Sequence, residues 1–256
     1  MNDQVICLGD SITQHGWDVA KHGWVAQLAQ YYLRRLDVIS RGLSGYNTRW
    51  ATALLPRVLP RYQPIPGSPR VRLVTVFFGA NDAQLPLYDY HVPLVEYRQN
   101  LRSIVDQLRS PESPLYAPDA SIVLITPPPV GEKMWARVCE EKYGEKVLDR
   151  QNAVTRQYAE AAVSLADELG LPVVDMWTAI EERVRGSTMP FEGYEEYTSD
   201  GLHLNAKGND LLASLLIDTV EKQFPELEAL KVPFVLPYHA DIAGKTLDEV
   251  KKYLQR

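Results

Sequence analysis

The sequence has two cysteines in 256 residues, Cys7 and Cys139, and no Asn-x-Ser/Thr acceptor. No apolar run approaches the ~20 residues that a membrane-spanning helix requires. These shortages argue against a disulfide-stapled scaffold, a glycosylated loop and a helical membrane anchor. Positive charge is not in excess either: the net charge is −6, which weighs against nucleic acid as the main partner. The run from Arg34 to Arg72 does hold eight arginines against one acid, Asp37, and is read as solvated helix surface. Neither G-x-x-x-x-G-K-[ST] nor G-x-G-x-x-G occurs, so nucleotide and hydride chemistry have no anchor and no cofactor is expected. His15 and His22 each precede a glycine, with no Cys or carboxylate to complete a ligand set, so no metal is expected there.

The chain opens "MNDQVICLGD", without a basic region leading into a long apolar one, and closes on "YLQR", which matches no retention, peroxisomal or prenylation address. The expectation is a soluble protein of the reducing cytosol, cytoplasmic, with no membrane partner. An apolar content of 45% and a charged content of 23% suit one large α/β domain.

What is present is an alternation of two periods. Five short β-branched runs, Val5–Leu8, Val38–Ser40, Leu73–Phe78, Ile122–Thr126 and Val173–Met176, are bounded by Gly, Pro, Asp or Asn. Between them lie helical spacings such as Tyr97, Leu101, Ile104, Val105 and Leu108, or Val154, Tyr158, Ala162, Leu165 and Leu169 before Gly170. Alternating strands and helices with right-handed crossovers predict a parallel sheet covered on both faces, a three-layer α/β/α sandwich. In such sheets ligands bind beyond the carboxyl ends of the strands. The loops there read "GDSIT", "RGLSGYNT", "FGANDA" and "TPPPVGEKMW".

Ser11 stands just past the first run. A serine hydroxyl is a poor nucleophile unless a base removes its proton, an acid orients that base and donors stabilise the oxyanion. In "TSDGLHLNAKGN", Asp200 precedes His203 by three residues, so one tight turn brings a carboxylate toward Nδ1 and leaves Nε2 for Ser11. Taken alone, Asp200 and Asn205 could equally cap the last helix, of apolar face Leu211, Leu212, Leu215 and Leu216, with His203 exposed. The amides of Ser11 and Gly45 and the side-chain NH2 of Asn81 are candidate oxyanion donors, although "SGYN" and "GAND" are each also ordinary turns. Asp10 and Asp82 are read as carboxylates that bond nearby amides and hold their loops in shape.

These blocks carry a resemblance. The chain resembles the SGNH hydrolase superfamily of GDSL esterases and lipases, whose four letters fall on Ser11, Gly45, Asn81 and His203, and the similarity spans Val5 to Phe224. It is most similar to the isoamyl acetate-hydrolysing esterases through "GDSITQ", "RGLSGYNTRWA", "VTVFFGANDA", "HVPLVEYRQNL", "ITPPP" and "SDGLHLNAKGN". The resemblance implies a flavodoxin-like strand order 2-1-3-4-5 and a carboxylic ester hydrolase acting on short-chain esters of small alcohols. It implies Ser11 as nucleophile, His203 as base then acid, Asp200 as its orienter, and Ser11, Gly45 and Asn81 as oxyanion donors. Ser40 departs from the pattern, where relatives often carry asparagine, and this bears on how the second loop is held.

Other readings share these residues. The same site could deacetylate sugars, hydrolyse thioesters or pass an acyl group to an alcohol. A metal-dependent phosphoesterase or a non-enzymatic binding protein fits less well, the first for want of a histidine-rich ligand set. Trp17 and Trp24 are read as core, with an acyl or alcohol pocket as the alternative. The charged segment from Gly131 to Arg150, with Trp135, Val138 and Tyr143, is read as a surface-packed helix, with a cover over the site as the alternative. Residues 1–224 form the expected hydrolase domain. The tail, 225–256, is expected to dock on that domain or on a second subunit, making a homodimer.

Overall fold

The first apolar run becomes strand β1, Asp3–Gly9, which lies inside the sheet between the edge strand β2, Leu36–Gly42, and the central strand β3, Val71–Phe77. β4, Ser121–Ile125, and β5, Val173–Val174, complete five parallel strands in the order β2-β1-β3-β4-β5. This computed structural model describes residues 2–253 apart from 62, 64, 145 and 146, so the end of "YLQR" and part of the 131–150 segment lie outside the described residues.

Period-two alternation splits each inner strand between two cores. Val5, Cys7, Leu73, Phe77, Val123 and Ile125 face one layer. It is built from α2 (Trp24–Tyr31), α5 (Glu132–Tyr143), α7 (Met176–Val184) and α8 (Ala206–Gln223). Ile6, Leu8, Val74, Val76, Ile122 and Leu124 face the other, built from α3 (Thr48–Val58), α4 (Leu94–Arg109) and α6 (Asn152–Leu169). The expected three-layer sandwich and strand order are both observed. All five residues of the first helical spacing are buried on α4, and α6 ends at Gly170 in the left-handed region, φ 61°.

Three expectations change, at strand five, along the arginine run and at Trp17. Strand five stops at Val174 because Asp175 caps α7, its carboxylate accepting from the Thr178 N–H and the Thr126 hydroxyl. The arginine run is not one solvated helix surface: Arg41 donates to the Val58 carbonyl, Arg49 pairs with Glu96, and Arg70 and Arg72 share Asp3. The arginines fall on strands, turns and helices alike, which scatters their charge.

Trp24 is core as expected, fully buried with its indole N–H donating to the Ile12 carbonyl, whereas Trp17 is exposed, which corrects its reading as core. The tail packs first on its own domain: Leu227, Ala229 and Val232 join the core, and the Tyr32 hydroxyl donates to the Leu227 carbonyl. Beyond it, Arg34 and Arg35 lie over the Phe234 ring, and the short helices α9 (His239–Ile242) and α10 (Leu247–Tyr253) bury nothing. No helix among the described residues is long and apolar enough to cross a membrane.

Candidate active site

The register sets Gly9 opposite Gly42 on one side and Phe77 on the other, so the loops after β1, β2 and β3 leave the sheet at one height. Asp10 caps the short helix α1, Ser11–His15, with its carboxylate accepting from the Ile12 N–H at 2.9 Å. Ser11 is thereby the first residue of α1, 5% exposed. Gln14 reaches across from α1 and accepts the Ser44 N–H at 2.9 Å, which pins the second loop beside it. Ser40 supports that junction through two long contacts, donating to the Thr13 carbonyl at 3.5 Å and accepting from the Gly42 N–H at 3.3 Å.

From the other end of the chain, Asp200 folds the turn that carries His203. Its Oδ1 accepts the main-chain N–H of Leu202 (2.9 Å) and of His203 (2.8 Å), and its Oδ2 lies 2.6 Å from His203 Nδ1. Nε2 of the same ring lies 3.0 Å from Ser11 Oγ, across 192 residues of sequence. Asn205, not Asp200, caps α8, through the Gly208 N–H, so the alternative in which both cap that helix does not describe the turn. Burial pushes the Asp200 carboxyl up, but the hydrogen bonds from His203 and from the backbone outweigh it and hold the group below the ordinary carboxylate range.

Gly201 makes this turn possible. It sits at φ 93°, and a Cβ there would lie 2.5 Å from the Gly131 carbonyl oxygen. Gly131 N–H donates back to the Gly201 carbonyl at 2.8 Å, so the start of α5 is fastened to the histidine turn. Trp135 of α5 is buried with its ring 6.4 Å from that of His203. The 131–150 segment is therefore packed against the site; Glu145, Lys146 and the side chain of Tyr143 lie outside the described residues.

Gly45 has φ 80°, and a side chain there would project into open space, so the left-handed backbone rather than crowding favours glycine. The next residue, Tyr46, accepts from Asn81 Nδ2 at 2.9 Å, bringing the second and third loops together. Asp82 strengthens the join by accepting both the N–H and the hydroxyl of Thr48, and Asn47 donates to the Tyr90 carbonyl at 2.9 Å. Burial pushes Asp82 up to about 7 and Asp10 up to about 6; in both cases hydrogen bonds from the neighbouring loop residues oppose the shift.

His15 and His22 do not form a pair: His22 lies 3.3 Å from Asp210, whereas His15 presents its ring edge-on to His203, centroids 5.5 Å apart. Burial, and then the charge on His203, hold His15 below its ordinary value. Among the described residues no group of three or more His, Cys, Asp or Glu is arranged to hold a metal ion. Sequence reasoning placed Trp135 on a surface-packed helix or a cover over the site, and missed Gly201 and a buried pair, Asp149 and Arg150, behind Asn81. Only Gly201 had a signal, its place in "DGLH".

This arrangement of serine, imidazole and carboxylate on a 2-1-3-4-5 sheet defines a hydrolase class, and comparison with known proteins gives the family. Residues 7–211 match the GDSL-like lipase/acylhydrolase family. An isoamyl acetate-hydrolyzing esterase 1 homolog of Bos taurus is 41% identical over 242 residues, 94% of this chain and 88% of its own length. A GDSL esterase/lipase of Arabidopsis thaliana is 39% identical over 253 residues, 96% of each chain. Among solved structures, a lipase/acylhydrolase from Enterococcus faecalis shares the fold at TM-score 0.59 and 23% identity, covering 86% of this chain and 96% of its own. A catalytic mutant of an acetylxylan esterase from Geobacillus stearothermophilus does so at TM-score 0.57 and 21% identity, covering 86% and 95%. The chain belongs to the GDSL-like lipase/acylhydrolase family and is a carboxylic ester hydrolase.

Proposed function

We propose that the chain hydrolyses short-chain carboxylic esters, acetate esters of small alcohols such as isoamyl acetate, through an acyl-enzyme on Ser11. The observation that carries this is the unbroken run from Ser11 Oγ to His203 Nε2 at 3.0 Å and from Nδ1 to Asp200 at 2.6 Å. In the first half-reaction Ser11 Oγ bonds to the ester carbonyl carbon while its proton passes to Nε2. The carbonyl oxygen becomes an oxyanion held by the Ser11 and Gly45 amides and an Asn81 N–H. The C–O bond then breaks and the alcohol leaves with the proton from Nε2. Water repeats the sequence on the acyl-enzyme and releases the acid and free Ser11. Asp200 keeps the proton-bearing Nδ1 turned toward itself and balances the imidazolium charge.

The acetate preference is supported by the relatives, isoamyl acetate-hydrolyzing esterase homologs from three mammals at 39–41% identity. A cytoplasmic setting is supported by two buried, unpaired cysteines. The test is a fluorophosphonate label mapped by peptide, with a Ser11→Ala control, and a panel of acetate, butyrate and octanoate esters, thioesters and acetylated sugars. Label on the Ser11 peptide, loss of label in Ser11→Ala, fastest turnover of acetates and activity that survives EDTA are expected. Label elsewhere, or full activity in Ser11→Ala, refutes the mechanism; a preference for another acyl class corrects only the substrate.

A further inference from the structure

Arg150 and Asp149 are 3% and 1% exposed, a full ion pair in the interior with guanidinium-to-carboxylate distances of 3.0 and 3.1 Å. Taking two charges out of water costs several kcal/mol per ion, and well-packed apolar residues commonly do as well or better for stability. Packing alone gives no account of the pair, so what it touches becomes the question.

The guanidinium grips the third loop at two points. Nε donates to the Ala80 carbonyl at 3.0 Å, and the terminal nitrogen Nη2 donates to Asn81 Oδ1 at 3.0 Å. Asp149 holds the other terminal nitrogen, and is itself held by the Trp135 indole N–H at 2.6 Å and Gln84 Nε2 at 2.7 Å. Arg150 also stacks on the Trp135 ring, 5.0 Å from its centroid.

The chemistry of these groups fixes an orientation. A guanidinium has five donors and no acceptor, so the end of the Asn81 amide that meets it is the oxygen. Nδ2 then faces the other way with two hydrogens. One goes to the Tyr46 carbonyl at 2.9 Å and the second is left for the site. A positive charge hydrogen-bonded to the amide oxygen also draws electron density from the N–H bonds, and such polarisation along a chain strengthens the far donor where water is excluded.

We infer that Arg150 is a positioning residue for ester hydrolysis: its guanidinium locks the Asn81 amide with Nδ2 toward the reacting oxygen and polarises it. This rests on Asn81 being an oxyanion donor, as proposed above. Asp149, Trp135 and Gln84 hold the guanidinium in place, so the 147–150 segment bears on the reaction through Asn81, beside the contacts that α5 makes with the histidine turn.

The test is a double-substitution cycle on hydrolysis of p-nitrophenyl acetate. Asn81→Ala is expected to lower kcat by about 10²–10³, the loss that goes with one oxyanion donor. Arg150→Lys keeps the charge but loses the two-point grip, and is expected to lower kcat by about tenfold to a hundredfold with KM within about twofold. In the Asn81→Ala background the same change is expected to lower kcat by less than about threefold, since its route to the reaction is gone. A paired variant, Asp149→Asn with Arg150→Gln, leaves no lone buried charge and is expected to behave like Arg150→Lys. Full multiplication of the two effects, an unchanged kcat in Arg150→Lys, or failure of both Arg150 variants to fold assigns the pair to structure and overturns the inference. Unchanged kcat in Asn81→Ala overturns instead the oxyanion reading beneath it.

Discussion

Replacing Asp200 by asparagine separates the two tasks of that carboxylate. Oδ1 accepts two main-chain N–H groups, of Leu202 and His203, and both need an oxygen. The amide of Asp200→Asn therefore keeps its oxygen on the turn and sets its NH2 where Oδ2 stood, 2.6 Å from His203 Nδ1. Two N–H donors cannot share that line, so the imidazole moves its hydrogen to Nε2, the nitrogen 3.0 Å from Ser11 Oγ. A ring protonated there cannot take the serine proton, and the imidazolium also loses its counter-charge. The equivalent change in serine proteases lowers kcat by about 10⁴, or about 5.5 kcal/mol of transition-state stabilisation. Asp200→Asn is expected to fold, by circular dichroism, and to lose activity on p-nitrophenyl acetate to that extent. Asp200→Ala is expected to lose the turn as well and melt earlier. A folded Asp200→Asn variant within about tenfold of the parent kcat would refute the role given to Asp200 and to the tautomer it selects.

Three further outcomes are expected. Asp82 is pushed up to about 7 by burial, above the unfolded value near ~3.9, so the folded state binds the extra proton in that window and the contribution of this group to stability declines as pH rises through it. Urea denaturation of Asp82→Asn against the parent is expected to gain on the order of a few kcal/mol in relative stability between pH 4 and pH 7.5, and parallel pH curves would refute this. Gly201→Ala places a methyl group 2.5 Å from the Gly131 carbonyl oxygen at a left-handed position, so a loss of about 1–3 kcal/mol and a fall in kcat are expected; a variant with parental melting and rate refutes the turn's role. Arg34→Ala with Arg35→Ala removes the contacts to the Pro237 and Val232 carbonyls and the Phe234 ring, and the tail is expected to be cleaved faster by trypsin beyond Val232, equal rates refuting its anchoring. We also propose that exposed Phe234, Val235 and Leu236 meet a second copy: light scattering then reports twice the 29.0 kDa chain mass, falling to one when the chain ends at Val232, and a monomeric full chain removes the homodimer.

The sequence by itself determined the five strands, the helices between them and which loops would matter, because side-chain periods of two and 3.6 residues are written locally. It also made the pairing of Asp200 with His203 legible, since the turn between them closes within four residues, and it marked Ser11 as the candidate partner of that imidazole. Ser11 and His203 meet only because β1 lies inside the sheet and α8, which follows the histidine turn, packs against α2 and β5. That contact spans 192 residues, and no local pattern encodes it. The same holds for Arg150, which reads in the chain as one more charge in a charged stretch. Only the tertiary structure buries it against Asn81, because a hydrogen bond across 69 residues depends on where two loops end and on which atom each turns toward the other.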